Sequence, residues 1–110
     1  MAIAADSKLV QVLDRFKTYL VQEYRERLVQ VILFGSYARQ DSHPGSDIDV
    51  LIVLADPMNP SEEIRRTSEF VAQLCLEYDL LISRLFLSQS RFETENSPLL
   101  RTIHRDGVVL

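Results

Sequence analysis

The chain has 110 residues, of which 46% are hydrophobic and 25% are charged, which is typical of a globular protein and leaves no room for a second domain. A net charge of -4 is not that of a general DNA-binding surface, and no apolar run approaches the roughly 18 residues of a membrane span. The single cysteine excludes an internal disulfide, and the first residues lack the features of a signal peptide. We therefore expect residues 1–110 to form one cytoplasmic domain that binds neither DNA nor a membrane.

Residues 6–34 predict a helix followed by a strand. Apolar side chains recur every three or four positions between residues 6 and 28, which predicts an amphipathic helix. This apolar stripe consists of Leu9, Leu13, Phe16, Leu20, Tyr24 and Leu28. Val29–Phe34 is a largely apolar, β-branched run that Gly35 ends, so it predicts a short strand.

The rest of the chain predicts two further strands and three helices. Asp47–Leu54 is apolar on both faces after its two aspartates, as is typical of a strand at the centre of a sheet. The remaining predicted elements are a helix capped by Asn59 that runs to about Tyr78, a strand at Leu80–Leu87, a short helix at Ser88–Glu95 and a last helix from Ser97 to Gly107. This order predicts an α/β (α+β) fold, in which helices pack on a small mixed sheet in two or three layers.

Two carboxylates stand at the start of the predicted central strand. Side chains alternate across a strand, so Asp47 and Asp49 point to one face while Ile48 points to the other. Their Cα atoms would be about 6.5 to 7 Å apart. Unpaired, the two charges repel each other, and a hard divalent cation such as Mg²⁺ would offset that repulsion. The alternative is that the pair is a solvated strand end or a cap.

Residues 35–46, between the first two strands, supply a second candidate feature. Gly35 allows a ligand to approach the backbone, and a helical turn after it would direct the amide groups and the Ser36 hydroxyl toward an anion. Arg39 can add a positive charge to a phosphate. A Gly-Ser pair after a strand is most often a plain turn. Together with the carboxylate pair, however, it predicts a site for metal-assisted transfer from a nucleoside triphosphate.

The spacing of these residues resembles a known signature. Gly35-Ser36, ten intervening residues and Asp47-x-Asp49 are similar to the motif of the DNA polymerase β-like nucleotidyltransferase superfamily, most of all to its minimal nucleotidyltransferase (MNT) branch. The resemblance implies a nucleotidyltransferase-like fold in which Gly35 and Ser36 hold the triphosphate and the catalytic residues Asp47 and Asp49 bind Mg²⁺. It further implies an antitoxin that transfers AMP from ATP to a tyrosine of a HEPN-domain protein. The several apolar helix faces of so small a domain separately predict a homodimer or a hetero-oligomer.

Two departures from the family pattern bear on activity. Gln40 stands where the family often has glycine, and the third carboxylate that the superfamily usually places on the next strand is not evident. Ser83 occupies the expected position, and Asp79 is the acid nearest to it, either as a catalytic residue or as the end of a helix. The alternative function is therefore a binding module that has kept the fold and acts on its partner by contact. A subunit of a larger transferase that modifies a small molecule is a third possibility.

Overall fold

A computed structural model describes residues 7–43 and 45–110, and its helices and strands alternate along the chain as far as α4, which α5 follows directly. In chain order they are α1 (Ser7–Tyr24), β1 (Leu28–Phe34), α2 (Ser36–Arg39), β2 (Ile48–Leu54), α3 (Pro60–Tyr78), β3 (Ile82–Ser88), α4 (Gln89–Thr94), α5 (Pro98–Asp106) and β4 (Val108–Val109). The predicted order is confirmed, with β4 as an added strand. Within the described ranges, the structure contains no helix that is long and apolar enough to cross a membrane.

Helix α1 buries the apolar stripe that its sequence predicts, but it ends earlier than expected. Leu9, Phe16 and Tyr24 are among its buried side chains. Arg25 has a φ of 51°, which no α-helix can continue, and a 3-10 turn over Arg25–Arg27 leads into β1. The predicted helix to residue 28 was therefore wrong at its end, because Leu28 belongs to the sheet. The predicted first residue, Asp6, lies outside the described residues.

The sheet has the order β3-β2-β1-β4 and is mixed, as predicted. Strand β2 runs antiparallel to β1 and parallel to β3, and β4 is antiparallel to β1. The central position of β2 confirms the prediction made from its two apolar faces: Val50–Leu54 are all buried. The Pro44-Gly45 pair in the segment before β2 lies partly outside the described residues.

Helix α3 starts and ends with recognisable caps. The Asn59 side chain accepts a hydrogen bond of 3.0 Å from the backbone N–H of Ser61, and Pro60 is the first helical residue. Within the helix, Glu63 is a buried carboxylate that the sequence pattern did not reveal. It accepts a hydrogen bond of 2.7 Å from the hydroxyl of Tyr24, which ties α3 to α1. It also pairs with Arg66, one turn further along α3, at 3.1 Å.

The sheet is covered by helices on both faces, which settles the expected number of layers as three. One face carries α1 and α3, whose buried side chains pack with Val50 and Ile52. The other face carries α5, whose Leu100 and Ile103 pack with Leu51. Because α5 is short, the end of this second face that contains Asp49 and Ser83 stays partly or fully exposed. The predicted carboxylate pair therefore lies on the uncovered half of the sheet.

Candidate active site

A tight turn at Gly35 joins β1 to the single-turn helix α2. Gly35 has φ 75° and ψ -156°, a backbone conformation that only glycine adopts readily. Its carbonyl accepts hydrogen bonds from the N–H groups of Ala38 and Arg39, at 3.1 and 3.2 Å. The predicted helical turn after the Gly-Ser pair is therefore present, and Ser36 is its first residue.

Gly35 is also the place where β1 meets the carboxylate of β2. Phe34 and Asp49 are register partners, and the Asp49 side chain lies directly against Gly35. A Cβ atom on Gly35 would overlap the Asp49 Oδ2 and lie 3.1 Å from its Cγ. Glycine is thus needed here twice, for the backbone angle and for the close approach of the carboxylate.

Asp47 immediately precedes β2, which begins at Ile48 and not at Asp47 as predicted, and Asp49 is the second residue of the strand. Ile48, between them, is buried on the opposite face among the side chains of α1 and α3. Asp47 is exposed and Asp49 is half-buried. Burial and then the charge of Asp47 raise the pKa of the Asp49 carboxyl, while Arg39 opposes both. The pair is therefore electrostatically unfavourable as it stands, and a bound cation would relieve the repulsion.

Arg39 brings a positive charge to the same end of the sheet. It is the last residue of α2, and its Nε lies 3.3 Å from Asp41 Oδ2. It also acts electrostatically on Asp49. The structure thus brings the positive charge of Arg39 to the end of the sheet that holds the predicted turn at Gly35 and the two carboxylates. An arginine beside a glycine turn and a carboxylate pair is an arrangement suited to a phosphorylated ligand that carries a metal ion.

The two candidates for the third position lie in different places. Ser83 is the register partner of Asp49 on β3 and is exposed, so it stands where a third carboxylate was expected. Asp79 is the left-handed C-cap of α3, with φ 54°. It lines a cavity of about 520 Å³, together with Tyr37 and Ile48. The strand neighbour of Asp49 is therefore a hydroxyl and not an acid.

The donor set of the site fits Mg²⁺ with the help of a ligand. Asp47, just before β2, and Asp49, within it, provide hard oxygen atoms. Mg²⁺ in proteins is often held by one or two carboxylates together with substrate phosphates. In the part of the chain that the structure describes, no three His, Cys, Asp or Glu side chains come close enough to hold a metal ion on their own. Any metal held by Asp47 and Asp49 would therefore need further oxygen ligands from a nucleotide or from water.

A mixed sheet between helix layers, with a carboxylate pair beside a glycine turn, defines the nucleotidyltransferase class of protein. Comparison with known families agrees. The model of the nucleotidyltransferase domain matches residues 13–103, and the chain belongs to this family. A relative from Methanocaldococcus jannaschii, named "Putative protein adenylyltransferase MJ0141", is 32% identical over 83 residues, which make up 76% of this chain and 83% of the relative.

Solved structures share the fold. A structure described as a "putative nucleotidyltransferase from Sulfolobus solfataricus" has a TM-score of 0.61 and 23% identity, and the match covers 94% of this chain and 82% of that one. A chain from the complex of tri-AMPylated Shewanella oneidensis HEPN toxin with MNT antitoxin has a TM-score of 0.55 and 19% identity, covering 93% and 70%. The expected nucleotidyltransferase-like fold is confirmed.

Proposed function

We propose that this protein is a metal-dependent nucleotidyltransferase that transfers AMP from ATP to a tyrosine of a HEPN-domain partner, and so acts as an antitoxin. The observation that carries the proposal is the Asp47–Asp49 pair, which lies beside the Gly35 turn on the uncovered half of the sheet. The name of the M. jannaschii relative and the fold shared with a toxin–antitoxin complex point to protein as the acceptor and to AMP as the group transferred.

Each residue of the site has a definite role in this proposal. The backbone of Gly35 and the Ser36 hydroxyl hold the triphosphate, and Arg39 binds its negative charge. Asp47 and Asp49 would hold Mg²⁺, and a metal ion there would neutralise charge on the triphosphate. In the transfer, the acceptor oxygen forms a bond to the α-phosphorus and the bond from that phosphorus to the pyrophosphate oxygen breaks, so that pyrophosphate leaves. The proton of the acceptor hydroxyl passes to a general base, for which Asp79 is the predicted candidate.

The acceptor reaches the site from the open side of the sheet. Helix α5 covers one half of this face, where its Ile103 packs with Leu51. Ser83 and Asp47, beyond that half, are exposed. A partner docked on this half would exclude water and bring a hydroxyl to the nucleotide. The proposal therefore includes ATP as the donor, a HEPN-domain protein as the acceptor and a hetero-oligomer of the two proteins. It also places the reaction in the cytoplasm.

The test is a transfer assay with ATP labelled on the α-phosphate. The protein is incubated with Mg²⁺ and a HEPN-domain protein encoded beside it, and the label on the partner is measured. We expect labelling by the wild type and none by Asp47→Asn/Asp49→Asn. Glu95→Gln, at the C-cap of α4, also removes a carboxylate and should label normally. Labelling that survives the double substitution would contradict the proposed roles of these aspartates.

The same assay tests the predicted catalytic role of Asp79. Asp79→Asn removes the charge and keeps a side chain that tolerates the left-handed backbone at this position. A loss of transfer of 100-fold or more, on the order of what a general base contributes, would support catalysis by Asp79. Unchanged transfer would show that Asp79 is not catalytic and serves only as the C-cap of α3.

The second candidate function is a binding module without catalysis, and Ser83 is the observation that favours it. A serine beside Asp49 leaves the strand position of the third carboxylate without an acid. Ser83→Asp distinguishes the candidates, because Ser83 is exposed and can accept a carboxylate without repacking. A binding module would co-purify with its partner without labelling it, and Ser83→Asp would then be expected to create or raise transfer.

A further inference from the structure

Phe34 stands at the end of β1 that meets the candidate site. In the sheet it is the register partner of Asp49, and Gly35 directly follows it in the chain. Side chains of directly opposite residues in antiparallel strands share a face of the sheet, with their Cβ atoms about 4.5–5.5 Å apart. The side chains of Phe34 and Asp49 are therefore neighbours on one face.

This face of the sheet is the one that α5 covers only in part. Ile32 and Leu51, two residues away along β1 and β2, are buried beneath α5. Phe34 packs against that buried cluster, but is itself only partly buried. Ser83, which flanks Asp49 from the other neighbouring strand, is exposed. The Phe34 ring is therefore anchored in the core and still borders the open half of the sheet.

The Phe34 ring has no aromatic neighbour among the residues that the structure describes. Three pairs of rings are in contact in that part of the chain, and Phe34 belongs to none of them. Phe92 offers the contrast, because it packs against the same cluster and is also partly buried, but its ring lies 4.7 Å from that of His104. Aromatic rings pair favourably when offset or edge to face. Phe34 can thus pair with a ring from outside the chain.

Two aromatic groups take part in the proposed reaction, the adenine of ATP and the phenol of the acceptor tyrosine. In an in-line transfer the acceptor attacks the α-phosphorus from the side opposite to the leaving pyrophosphate. The proposed triphosphate site is the turn at Gly35, on the β1 side of Asp49. The acceptor would therefore come from the β3 side, past Ser83. Phe34, on the β1 side, is left to the nucleotide.

We propose that Phe34 is the nucleobase platform of the site, on which the adenine of bound ATP stacks. The inference rests on the proposed function and deepens it, because it adds a contact to the base beside the contacts to the phosphates. Stacking on an aromatic side chain serves every base, since each base has a π-face. Phe34 therefore favours a nucleotide over a bare polyphosphate, without selecting adenine from the other bases.

Binding of ATP and of inorganic tripolyphosphate tests this role, because only ATP carries a base. Both dissociation constants are measured by calorimetry in the presence of Mg²⁺ for the wild type, Phe34→Leu and Phe92→Leu. We expect Phe34→Leu to weaken the binding of ATP by about five- to thirtyfold, on the scale of one stacked base, and to leave the binding of tripolyphosphate unchanged. Phe92→Leu is the matched control and should change neither dissociation constant.

Phe34→Trp provides a readout that does not depend on a loss of affinity. The chain has no tryptophan, so this variant carries a single indole beside the site. Because the larger ring also stacks, the variant should bind ATP at least as tightly as the wild type. We expect ATP to quench the indole fluorescence and tripolyphosphate to leave it unchanged. Fluorescence that stays the same at saturating ATP would show that the base binds elsewhere, and the inference would fail.

The remaining outcomes separate the inference from the proposed function. An equal loss of affinity for ATP and for tripolyphosphate in Phe34→Leu would show that the ring only supports the turn, and the inference would fail while the nucleotide site stands. Unchanged affinity for ATP with a raised KM for the acceptor protein would assign the ring to the tyrosine and overturn the inference as well. Failure of the wild type to bind either compound would overturn the proposed site itself, and the inference with it.

Discussion

Asp49→Asn should make the free protein more stable and the nucleotide-bound protein less stable. Asp47 lies just before β2 and Asp49 within it, and extended backbone would put about 7 Å between their Cα atoms. At that distance two unit charges repel by about 0.6 kcal/mol in water and by about 2.4 kcal/mol at an effective dielectric constant of 20. Asp49 is half-buried and Asp47 is exposed, so we take a value near the lower figure, about 1 kcal/mol.

The expected gain can be measured by thermal melting in buffer without metal or nucleotide. A change of 1 kcal/mol raises the Tm of a domain of this size by about 4 °C. With ATP and Mg²⁺ at 100 times the dissociation constant, the wild type should gain about 2.7 kcal/mol and the variant nothing, so the order of the two melting temperatures reverses. Asp14→Asn, an exposed aspartate of α1, should change neither measurement.

The pH dependence of the free energy of unfolding tests independently whether the Asp49 charge destabilises the free protein. The pKa of Asp49 is raised in the folded protein, so just above pH 4 the folded state binds more protons than the unfolded state. The stability of the wild type should therefore fall as the pH rises through this interval, and the advantage of Asp49→Asn should vanish when the pH is lowered through it. A variant that is less stable than the wild type at pH 7 without metal would refute the reasoning, because Asp49 would then be a structural residue.

Three further predictions follow from the backbone and from buried groups. Gly35→Ala should lower the free energy of unfolding, measured in urea, by about 1–3 kcal/mol and abolish nucleotide binding, because it strains the turn and displaces Asp49. A variant that binds nucleotide normally would show that the turn does not need glycine. Gln40→Gly should raise the free energy of unfolding by up to about 1 kcal/mol, since Gln40 has a φ of 61°, and a loss of stability would show that its side chain contributes. Burial and the hydrogen bond to Glu63 raise the pKa of Tyr24, so the free energy of unfolding of the wild type should fall as the pH rises above about 10. Tyr24→Phe should lose about 1–3 kcal/mol of that free energy at pH 8. Its stability should depend less on pH above about pH 10 than that of the wild type.

The sequence predicts most of the sheet and the site because both rest on local patterns. Alternation along a strand predicts that Ile48 and Asp49 point to opposite faces, and in the structure Ile48 is buried while Asp49 is partly exposed. Similarly, the two apolar faces of Val50–Leu54 predict the centre of a sheet, because only a strand covered on both sides can bury them. Gln40 lies in the left-handed region, at the place where the family resemblance leads us to expect a glycine, which adopts that conformation readily.

The pieces that the sequence does not predict depend on contacts between distant residues. Strand β4 has two residues, too few for a pattern, and its pairing with Leu33 depends on where α5 ends. Likewise, the end of α1 at Tyr24 comes from the positive φ of Arg25, which no hydrophobic period records.

Ser83 also bears on how strongly the site depends on the metal ion. An acid at position 83 would stand beside Asp49 and add a third negative charge to the face that must bind a triphosphate. Because that charge repels the phosphates unless a cation lies between them, Ser83→Asp should make the binding of ATP more dependent on Mg²⁺. Titration of ATP binding against Mg²⁺ measures this dependence in the wild type and in Ser83→Asp. Equal dependence in the two proteins would contradict the reasoning.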